Sequence, residues 1–399
     1  MFNHLQGVPA DPLLKLITQY AQDENIDKVD LGVGVYKDEL GNTPIMQAVT
    51  AAEIIILDKQ KTKTYIGPAG SQLYCERSAE LLFGENHSVI KDRRLSIAQT
   101  PGGCGALRMA AEFINFCAAG AKVWVSTPTW VNHIPLLTEA GLVLAEYPYY
   151  DNQTKSVDFG GMLEALETAK EGDLVLLHGC CHNPSGADLN PEQWQQLTNL
   201  IVAKDLIPFI DIAYQGLGDG LDEDAYGLRL MAERVPEMIV ASSCSKNFGL
   251  YRERTGTVVI ISSNSQRASI CTSQLFSTIR GHYSMPPAHG AAIVETILDD
   301  NLLKAQWLNE LTTMRLRLSD NRAALVDAIK SAGVTEDFSF INSEKGMFSF
   351  LGINPTQVTR LKDDYSIYMA GSSRINIAGI AQHNVQYVAN AIAKVISSQ

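Results

Sequence analysis

Residues 174–211 read LVLLHGCCHNPSGADLNPEQWQQLTNLIVAKDLIPFID, and this stretch decides the fold of the chain. It begins with the apolar run Leu174–Leu177, enters a helical pattern from Pro191 to Lys204, and ends with the apolar run Ile207–Ile210, which Asp211 closes. Two continuous apolar strands that are joined by a helix are typical of a parallel sheet with both faces covered. The stretch therefore predicts one strand–helix–strand unit of an α/β fold.

The same alternation extends on both sides of this unit. Further predicted strands and helices are, in chain order, Lys122–Val125, a helix from Val131 to Ala140, Leu142–Ala145, a helix from Asp224 to Val235, Met238–Val240 and Val258–Ile261. Apolar residues at helical spacing from Leu107 to Ile114 predict a helix after Pro101. A long helical pattern from about Asn301 to Ala332 leads into short mixed runs, which predict a second, smaller α+β domain.

The composition limits the classes of function. The chain has 399 residues, of which 46% are hydrophobic and 19% charged, so it can bury a large core. Its net charge is −12 without a Lys/Arg cluster, which argues against a nucleic-acid partner. We find no apolar run of membrane-spanning length and no secretory signal at Met1–Gly7. Seven cysteines without disulfide spacing indicate reduced thiols and a cytoplasmic setting.

A second informative stretch reads SSCSKNFGLYRER at residues 242–254 and follows a predicted strand. It places Lys246 among the hydroxyls of Ser243 and Ser245, with Arg254 eight residues later. Such a strand end suits an amine that forms a Schiff base beside an anion-binding site. An ordinary surface loop fits this segment by itself equally well, so both interpretations stay open at this point.

Three more motifs follow predicted strands, where α/β sheets place their ligands. The first is TPGGCG at residues 100–105, whose glycines and helix N-terminus suit a phosphate, although such glycine turns are common. The second is HGCCHNPSG at residues 178–186, where a tight turn presenting Asn183 fits better than zinc because zinc-ligand spacing is lacking. The third is Asp211 with Tyr214, since a strand-end acid needs a cation close by.

Together these motifs resemble the fold-type I enzymes that depend on pyridoxal 5′-phosphate (PLP). More closely, the chain is similar to the aspartate/aromatic amino acid subgroup of the class I aminotransferases. The resemblance runs from DLGVGVY at residues 30–36 to SRINIAG at residues 373–379, which is nearly the whole chain. It implies an α/β large domain with a mostly parallel seven-stranded sheet sandwiched by helices, plus a smaller α+β domain. The implied divisions are an N-terminal arm at residues 1–10, the small domain at 11–44 and 312–399, and the large PLP-binding domain at 45–311.

The resemblance also implies a role for each motif residue. Lys246 would hold the aldehyde of the cofactor and move a proton, while Asp211, supported by His133, would keep the pyridine nitrogen protonated. Tyr214 and Trp130 complete the implied catalytic group. The implied cofactor-binding residues are Gly102, Gly103, Cys104, Trp130, Asn183, Asp211, Tyr214, Ser243, Ser245, Lys246, Arg254 and, from a neighbouring subunit, Tyr65.

Two arginines carry the implied recognition of the substrate. Arg374 would clamp the α-carboxylate, and Arg280 would reach across a dimer interface to the distal carboxylate of a dicarboxylic substrate. The other implied substrate contacts are Gly34, Trp130 and Asn183. We therefore expect a cytoplasmic homodimer with shared active sites that moves an amino group between L-aspartate, or an aromatic amino acid, and 2-oxoglutarate. The expected mechanism is ping-pong, the expected products are the 2-oxo acid and L-glutamate, and no metal, nucleic acid or membrane is expected.

Three positions depart from the family pattern, and one of them is Thr64, which precedes Tyr65 and differs from the usual residue of the aspartate type. Cys104 stands where Ser or Thr usually binds the phosphate, and a thiol is a poorer donor. Met285 stands where a polar residue is common near the distal arginine, and a flexible apolar side chain there favours aromatic substrates. These departures leave an aromatic (tyrosine/phenylalanine) aminotransferase open as the main activity. The alternatives of a different class are a non-transaminating PLP lyase, a hydrolase built on Ser243 or Ser245 with Lys246, and a non-catalytic PLP-fold binding module.

Overall fold

The computed structural model describes residues 2–7 and 12–397 of the chain. The strands, in chain order, are β1 (Val29–Asp30), β2 (Leu95–Pro101), β3 (Lys122–Thr127), β4 (Val143–Pro148), β5 (Tyr150–Asp151), β6 (Ser156–Val157), β7 (Leu174–His178), β8 (Ile207–Ile212), β9 (Met238–Ser243), β10 (Thr255–Ile261), β11 (Phe348–Phe350), β12 (Ile367–Tyr368) and β13 (Arg374–Asn376). The helices are α1 (Pro12–Gln22), α2 (Gln47–Lys59), α3 (Gln72–Phe83), α4 (Ser88–Lys91), α5 (Gly102–Cys117), α6 (His133–Thr138), α7 (Phe159–Leu166), α8 (Pro191–Ala203), α9 (Tyr226–Arg234), α10 (Ser265–His282), α11 (Ala288–Asp299), α12 (Asn301–Ser331), α13 (Pro355–Tyr365) and α14 (Val385–Ser397).

The centre of the fold, within the described residues, is a seven-stranded sheet with the order β2-β10-β9-β8-β7-β3-β4. The pairs β3–β4, β3–β7, β7–β8 and β8–β9 are parallel, whereas β10 runs antiparallel to both β9 and β2. This arrangement confirms the predicted α/β fold with a mostly parallel sheet. The strand–helix–strand unit at residues 174–211 lies in the middle of it as β7, α8 and β8.

Apolar residues on both faces of the sheet form two separate cores. Along β7 the side chains alternate, because Val175 and Leu177 belong to one buried cluster whereas Leu174 and Leu176 belong to the other. Alternate residues of a strand point to opposite faces, so each face carries its own core. The continuous apolar runs of the sequence therefore predicted correctly that both faces are covered.

Two predicted elements differ in extent from those observed. Helix α6 has six residues rather than the ten expected from Val131 to Ala140. The amide of His133 donates to the carbonyl of Trp130 at 2.9 Å, so the residues before α6 form a turn instead. At the other end Gly141 has φ +89° and reverses the chain. The strand expected at Leu142–Ala145 is longer and continues as β4 to Pro148.

Helix α12 connects the sheet to the C-terminal elements. It spans 31 residues without interruption and contacts α2 and α11 as well as α14. Because the helix crosses residue 312, the predicted domain boundary falls inside one continuous element. Of the predicted N-terminal arm, residues 2–4 form a 3₁₀ turn, while residues 1 and 8–10 lie outside the described residues. None of the helices described here is long and apolar enough to cross a membrane.

Candidate active site

Three neighbouring strands of the sheet end beside one another and build a cleft of about 260 Å³. In the register of the sheet, His178 of β7 pairs with Asp211 of β8, which in turn pairs with Ala241 of β9. Helix α5 begins at the same edge, and clefts at the carboxyl ends of parallel strands are where α/β folds bind ligands. The cleft brings together the predicted residues Gly34, Gly103, Cys104, Trp130, Asn183, Asp211, Tyr214, Ser243, Ser245, Lys246, Arg254 and Arg374.

Lys246 lies half-buried in the loop that follows β9. Helix α12 anchors this loop. Its Trp307 stacks on Phe248, with ring centres 4.4 Å apart, and donates its indole hydrogen to the carbonyl of Asn247 at 2.7 Å. Burial lowers the pKa of the Lys246 amine, although the charges of Asp211 and Cys104 oppose that shift. Its Nζ lies 4.8 Å from the centre of the Tyr214 ring. The amine is thus held in place and more readily deprotonated than a surface lysine.

Asp211 lies near the end of β8 and is held by His133, which is the contact that the family resemblance implies. Nε2 of His133 lies 2.9 Å from Oδ2 of Asp211, and Nδ1 of His133 lies 2.8 Å from the hydroxyl of Thr129. Burial by itself would raise the pKa of the Asp211 carboxyl, but the hydrogen bond and charge of His133, with smaller contributions from His178 and Lys246, lower it overall. The cleft therefore contains a carboxylate that stays ionised.

Two further histidines continue from His133 as a column of rings, and the first of them, His178, also lines the cleft. His178 lies 5.2 Å from His133 between ring centres, and His182 lies 4.2 Å from His178. Burial lowers the pKa of His178 to about 3 and that of His182 well below its usual value. Both rings are consequently neutral near pH 7.

The glycine turn and the serine loop form a cup that suits an anion. Gly102 has φ +71°, and a Cβ at this position would lie 2.5 Å from the guanidinium of Arg254. A larger residue at this turn would therefore displace the arginine. The Ser243 hydroxyl donates to the Ser245 hydroxyl at 3.0 Å and accepts from the amide of Ser245. The N-terminus of α5 adds a positive dipole end to the cup.

Arg374 lies at the start of β13, on the opposite wall of the cleft. Its two terminal nitrogens donate to Gly32 O at 2.9 Å and to Asn183 Oδ1 at 3.4 Å. The guanidinium carbon lies 4.4 Å from the centre of the Phe348 ring. Its buried Nε has no hydrogen-bond partner among the described residues. A buried donor without a partner is costly, so the site is prepared for an added acceptor such as a carboxylate.

Tyr214 and Trp130 complete the walls of the cleft. Burial raises the pKa of the Tyr214 phenol, despite an opposing effect of Arg374, and the hydroxyl therefore keeps its proton at neutral pH. Trp130 contacts His133 edge to face, with ring centres 5.3 Å apart. The tryptophan thus braces the histidine that holds Asp211.

Two predicted residues lie away from the cleft of this chain, whereas Gly102 contacts the cleft residue Arg254 without lining the cavity itself. Tyr65 is 91% exposed, and the Arg280 side chain near the end of α10 is exposed and donates to the hydroxyl of Ser284. Neither lines the cavity that holds Lys246. The family resemblance implies that both act across a subunit interface, and this role stays a prediction.

A family model described as aminotransferase class I and II matches residues 26–392. The chain belongs to this family. It is 48% identical to an aspartate aminotransferase of Haemophilus influenzae, over 99% of this chain and 100% of that protein. It is 44% identical to an aromatic-amino-acid aminotransferase of Pseudomonas aeruginosa, over 99% of this chain and 98% of that protein.

Solved structures of aminotransferases have the same fold. The chain is similar to an aromatic-amino-acid aminotransferase from Burkholderia pseudomallei that is covalently bound to pyridoxal phosphate, with a TM-score of 0.97 and 42% identity over 99% of both chains. It is also similar to the cytoplasmic aspartate aminotransferase of Saccharomyces cerevisiae, with a TM-score of 0.96 and 38% identity over 100% of this chain and 98% of that chain. The predicted membership of the aspartate/aromatic subgroup is thereby confirmed.

Several residues of the aminotransferase cleft were not predicted. They are Leu13, Leu107, His178, Cys180, Ala213, Tyr251 and Phe348. His178 and Tyr251 lie within motifs that the sequence analysis quoted, so proximity in sequence was an available signal. Phe348 gave no such signal, because it reads as an ordinary core residue of a short strand.

The cysteines of the aminotransferase motif at residues 178–186 lie near one acid. Ligand atoms of Cys180, Cys181 and Asp224 are all within 4.8 Å of one another. Yet the Asp224 carboxylate already accepts hydrogen bonds from the amides of Gly216 and Gly218, at 2.7 and 2.9 Å. Burial raises the pKa of Asp224 overall, against those hydrogen bonds. This carboxylate serves the turn that follows β8, and the cluster does not favour a metal.

A larger groove of about 500 Å³ lies between α3, α12 and residues 219–223, away from the aminotransferase cleft. Two of its cations are paired with acids, Arg77 with Glu80 and Arg229 with Asp222. None of the predicted site residues lines this groove. We therefore place the chemistry in the smaller cleft.

Proposed function

We propose that this aminotransferase uses the Lys246 cleft to move an amino group between L-aspartate, or an aromatic amino acid, and 2-oxoglutarate with pyridoxal 5′-phosphate. The observation that carries this proposal is the arrangement of Lys246, an amine of lowered pKa, beside Asp211, a buried carboxylate that stays ionised. A nucleophilic amine and an anion that stabilises a protonated ring nitrogen are the two groups that PLP chemistry requires.

The residues present fit this cofactor. The cup of Gly102, Gly103, Ser243 and Ser245 with Arg254 offers donors to the phosphate group, while Asp211 would face the ring nitrogen. When bound, PLP supplies an electron sink for the carbanion that forms at the substrate Cα. Cys104 lies in the same cleft and is already a hydrogen-bond acceptor for Asn132, at 3.7 Å. Because a thiol is a poorer donor than a hydroxyl, we assign the main phosphate contacts to the serines and the arginine.

Each side chain of the cleft has a defined task in this proposal. Lys246 accepts and returns a proton at Nζ, and its lowered pKa favours this exchange. Asp211 stays negative, because His133 donates to Oδ2. Tyr214 keeps its proton and therefore donates a hydrogen bond, while Asn183 offers an amide beside it. Trp130 would cover the ring of the cofactor and exclude water from it.

Substrate binding centres on Arg374. The α-carboxylate of an amino acid would accept from the unpartnered Nε and from a terminal nitrogen of the guanidinium. Gly34 lines the cleft beside it, and a Cβ on Gly34 would lie 3.0 Å from the Phe348 ring. The backbone can therefore approach the substrate closely at this point.

The proposed active enzyme is a homodimer whose sites are shared. The support is that Arg280 and Tyr65 are exposed in the single chain although both carry predicted site functions. We place Arg280 at the distal carboxylate of the partner's substrate, and Tyr65 at the partner's cofactor phosphate. Met285, close to Arg280 in sequence, adds an apolar surface that favours aromatic side chains as a second substrate class.

We also propose that residues 11–44 and 312–399 form the small domain and residues 45–311 the large one. The support is direct contact between the two terminal parts, since β1 pairs with β12 and Arg374 bonds to Gly32. The cytoplasm is the proposed location, because all seven cysteines are free in the described structure.

A test of the cofactor site uses the purified holoenzyme. Borohydride reduction followed by peptide mass spectrometry should locate the covalently attached cofactor on Lys246. Lys246→Ala should lose both turnover and labelling, whereas Lys204→Ala, which removes a lysine paired at 3.7 Å with Glu167 on the surface, should keep both. Labelling of another lysine would refute the assignment.

A test of substrate class compares kcat/KM for aspartate, tyrosine and phenylalanine with 2-oxoglutarate as acceptor. Arg280→Ala should reduce kcat/KM for aspartate far more than the half-reactions with tyrosine and phenylalanine. Arg267→Ala, an exposed arginine on the same helix, is the control and should leave all values unchanged. An equal loss for every amino acid would contradict the distal-carboxylate role.

Shared sites can be tested by mixing two inactive variants. In a homodimer of Lys246→Ala, and likewise in one of Arg280→Ala, both sites should lose their activity with aspartate. A mixed dimer has one site with both native residues, so random exchange should restore about a quarter of the parent activity. Activity that stays at the sum of the two separate variants would mean that Arg280 serves its own chain.

A further inference from the structure

The segment Asp30–Lys37, called the strap below, carries Gly34 into the cleft. Strand β13 holds it from one side. Asn376 donates from Nδ2 to Val33 O at 2.6 Å and to Val35 O at 2.7 Å, while Arg374 donates to Gly32 O. These bonds grip the strap immediately before and after Gly34. On this side its position is therefore fixed by the same strand that provides Arg374.

The opposite wall of the cleft is the loop Cys244–Arg254, called the lysine loop below. Among the described residues, one hydrogen bond joins the strap to the lysine loop. The amide of Tyr36 donates to the hydroxyl oxygen of Tyr251 at 2.8 Å. Tyr251 itself lines the cleft, five residues after Lys246. This bond connects the backbone beside the substrate to the loop that carries the reactive amine.

The chemistry of Tyr251 suits a permanent contact. Burial raises the pKa of its phenol to about 12, although the amide of Tyr36 opposes the shift. The hydroxyl thus stays neutral through the physiological range, and its oxygen accepts from Tyr36 at every such pH. The ring lies half-buried in the wall of the cleft, so removing only the hydroxyl would leave the packing in place.

We propose that Tyr251 is a positioning residue that sets the spacing between the strap and the lysine loop. The inference rests on the proposed function, because it assumes that substrate binds between Arg374 and Lys246. With the bond intact, Gly34 and Arg374 keep a fixed distance from the amine. Without it the strap keeps its bonds to β12, β13 and Arg317 but, among the described residues, has no hydrogen bond to the lysine loop. A carboxylate ligand must then restore the spacing itself at a cost in affinity.

The test compares Tyr251→Phe with Tyr387→Phe in the holoenzyme. Tyr387 is the matched control, because its hydroxyl also contacts the backbone, donating to Tyr365 O at 2.6 Å, in the small domain. The probe is succinate, a dicarboxylate without an amino group, titrated against the absorption of the bound cofactor. Tyr251→Phe should raise the Kd of succinate and the KM of aspartate roughly 2- to 12-fold, the equivalent of one net hydrogen bond. The value of kcat and the absorption without succinate should stay as in the parent, and Tyr387→Phe should change nothing.

A second measurement reports on the strap without relying on activity. Hydrogen exchange at the Tyr36 amide should be faster in Tyr251→Phe than in the parent and unchanged in Tyr387→Phe. Unchanged exchange or unchanged succinate affinity in Tyr251→Phe would overturn the proposal. Loss of cofactor with an unchanged KM would also overturn it, since Tyr251 would then serve the lysine loop alone. If the parent neither transaminates nor binds succinate, the proposed function itself fails, and the exchange result still tells whether the bond holds the strap.

Discussion

Two buried acids of this molecule have pKa values that are shifted in opposite directions. Asp211, at the end of β8, has a lowered pKa, whereas burial raises the pKa of Glu344 to about 7. Glu344 is only 3% exposed and precedes β11, whose Phe348 lies under Arg374. Both acids are near a cationic or basic side chain, so proximity to a base does not explain the difference.

The difference lies in the hydrogen bonds that reach each carboxylate. His133 donates directly to Asp211 at 2.9 Å. The guanidinium of Arg322 is 3.5 Å from Glu344, but its N–H groups donate to other acceptors. These are the carbonyls of Ile341, Lys345, Gly346 and Phe348 and the hydroxyl of Ser349. Within the described residues, neither carboxylate oxygen of Glu344 has a hydrogen-bond partner. A buried charge needs directed donors, and a nearby cation with satisfied donors offsets only part of the burial cost.

The largest expected effect comes from removing the charge of Asp211. Asp211→Asn keeps the size of the side chain but cannot stabilise a protonated ring nitrogen. We expect kcat for aspartate to fall roughly 10²- to 10⁴-fold, the rate equivalent of the about 3–5 kcal/mol lost when one partner of a buried pair is removed. Single-turnover measurement of the amino-acid half-reaction would show the loss in the chemical step.

Glu344→Gln is the control for that experiment, because it removes a buried acid that does not line the cleft. It should keep kcat within about twofold of the parent. A loss of rate in Glu344→Gln as large as that in Asp211→Asn would mean that both acids act through the general charge of the interior, and the comparison between them would fail.

The next largest effect is on stability. Glu344→Gln should raise the free energy of unfolding by an amount that depends on pH. The folded chain binds the Glu344 proton more tightly than the unfolded chain, whose carboxyl has the ordinary pKa of 4.5. The parent therefore loses stability relative to the variant as pH rises from 4.5 to about 7, and the deficit stays constant above that. The upper bound is about 3 kcal/mol, since each pKa unit corresponds to 1.36 kcal/mol.

Urea denaturation of both proteins at pH 5 and pH 8 measures this difference. The variant should be more stable than the parent at pH 8 and nearly equal to it at pH 5. An equal gain at both pH values would assign the effect to packing, and a loss at pH 8 would mean that the pair with Arg322 stabilises the fold.

His133→Leu should make Asp211 resemble Glu344. Without its donor, the buried Asp211 carboxyl should have a higher pKa, and the acid limb of the kcat/KM profile should move toward neutral pH. Because a hydrogen bond to a charged group contributes about 1.5–3 kcal/mol, we expect kcat/KM at pH 8 to fall roughly 10- to 150-fold. His182→Gln is the control, since His182 belongs to the same column without contacting Asp211. If both variants move the acid limb equally, the direct bond from His133 is not the cause.

The sequence predicted one of these two acids and not the other, for a physical reason. Asp211, Lys246 and Asn183 follow apolar strands, and parallel strands end at a common edge, so their meeting follows from a local rule. Glu344 lies in a polar segment that reads as an ordinary loop. Its burial depends on Arg322 from a helix 22 residues earlier, and also on Gly186 from a distant turn, where a Cβ would lie 3.1 Å from the Glu344 Cβ.

Tyr65 and Arg280 mark another limit of what one chain reveals. Their roles came from the resemblance to known enzymes, and the structure of a single chain leaves both on the surface. Phe348 shows the reverse case, because its place beneath Arg374 requires the pairing of β11 with β13. Contacts that form between short strands far apart in sequence leave no periodic signal, so the sequence could not assign this residue to the site.

The smallest expected effect concerns the hydroxyl of Tyr150, which faces Glu344 and has no hydrogen-bond partner among the described residues. This hydroxyl lowers the pKa of Glu344 slightly against the larger effect of burial. In Tyr150→Phe the pKa of Glu344 should therefore rise further, and stability at pH 8 should fall by less than the about 0.5–1.5 kcal/mol of a full hydrogen bond. At pH 5, where Glu344 is protonated in both proteins, the loss should be smaller. In the Glu344→Gln background, Tyr150→Phe should lower the free energy of unfolding equally at pH 5 and pH 8. A difference between pH 5 and pH 8 that persists without the carboxyl would show that the hydroxyl acts on another titrating group.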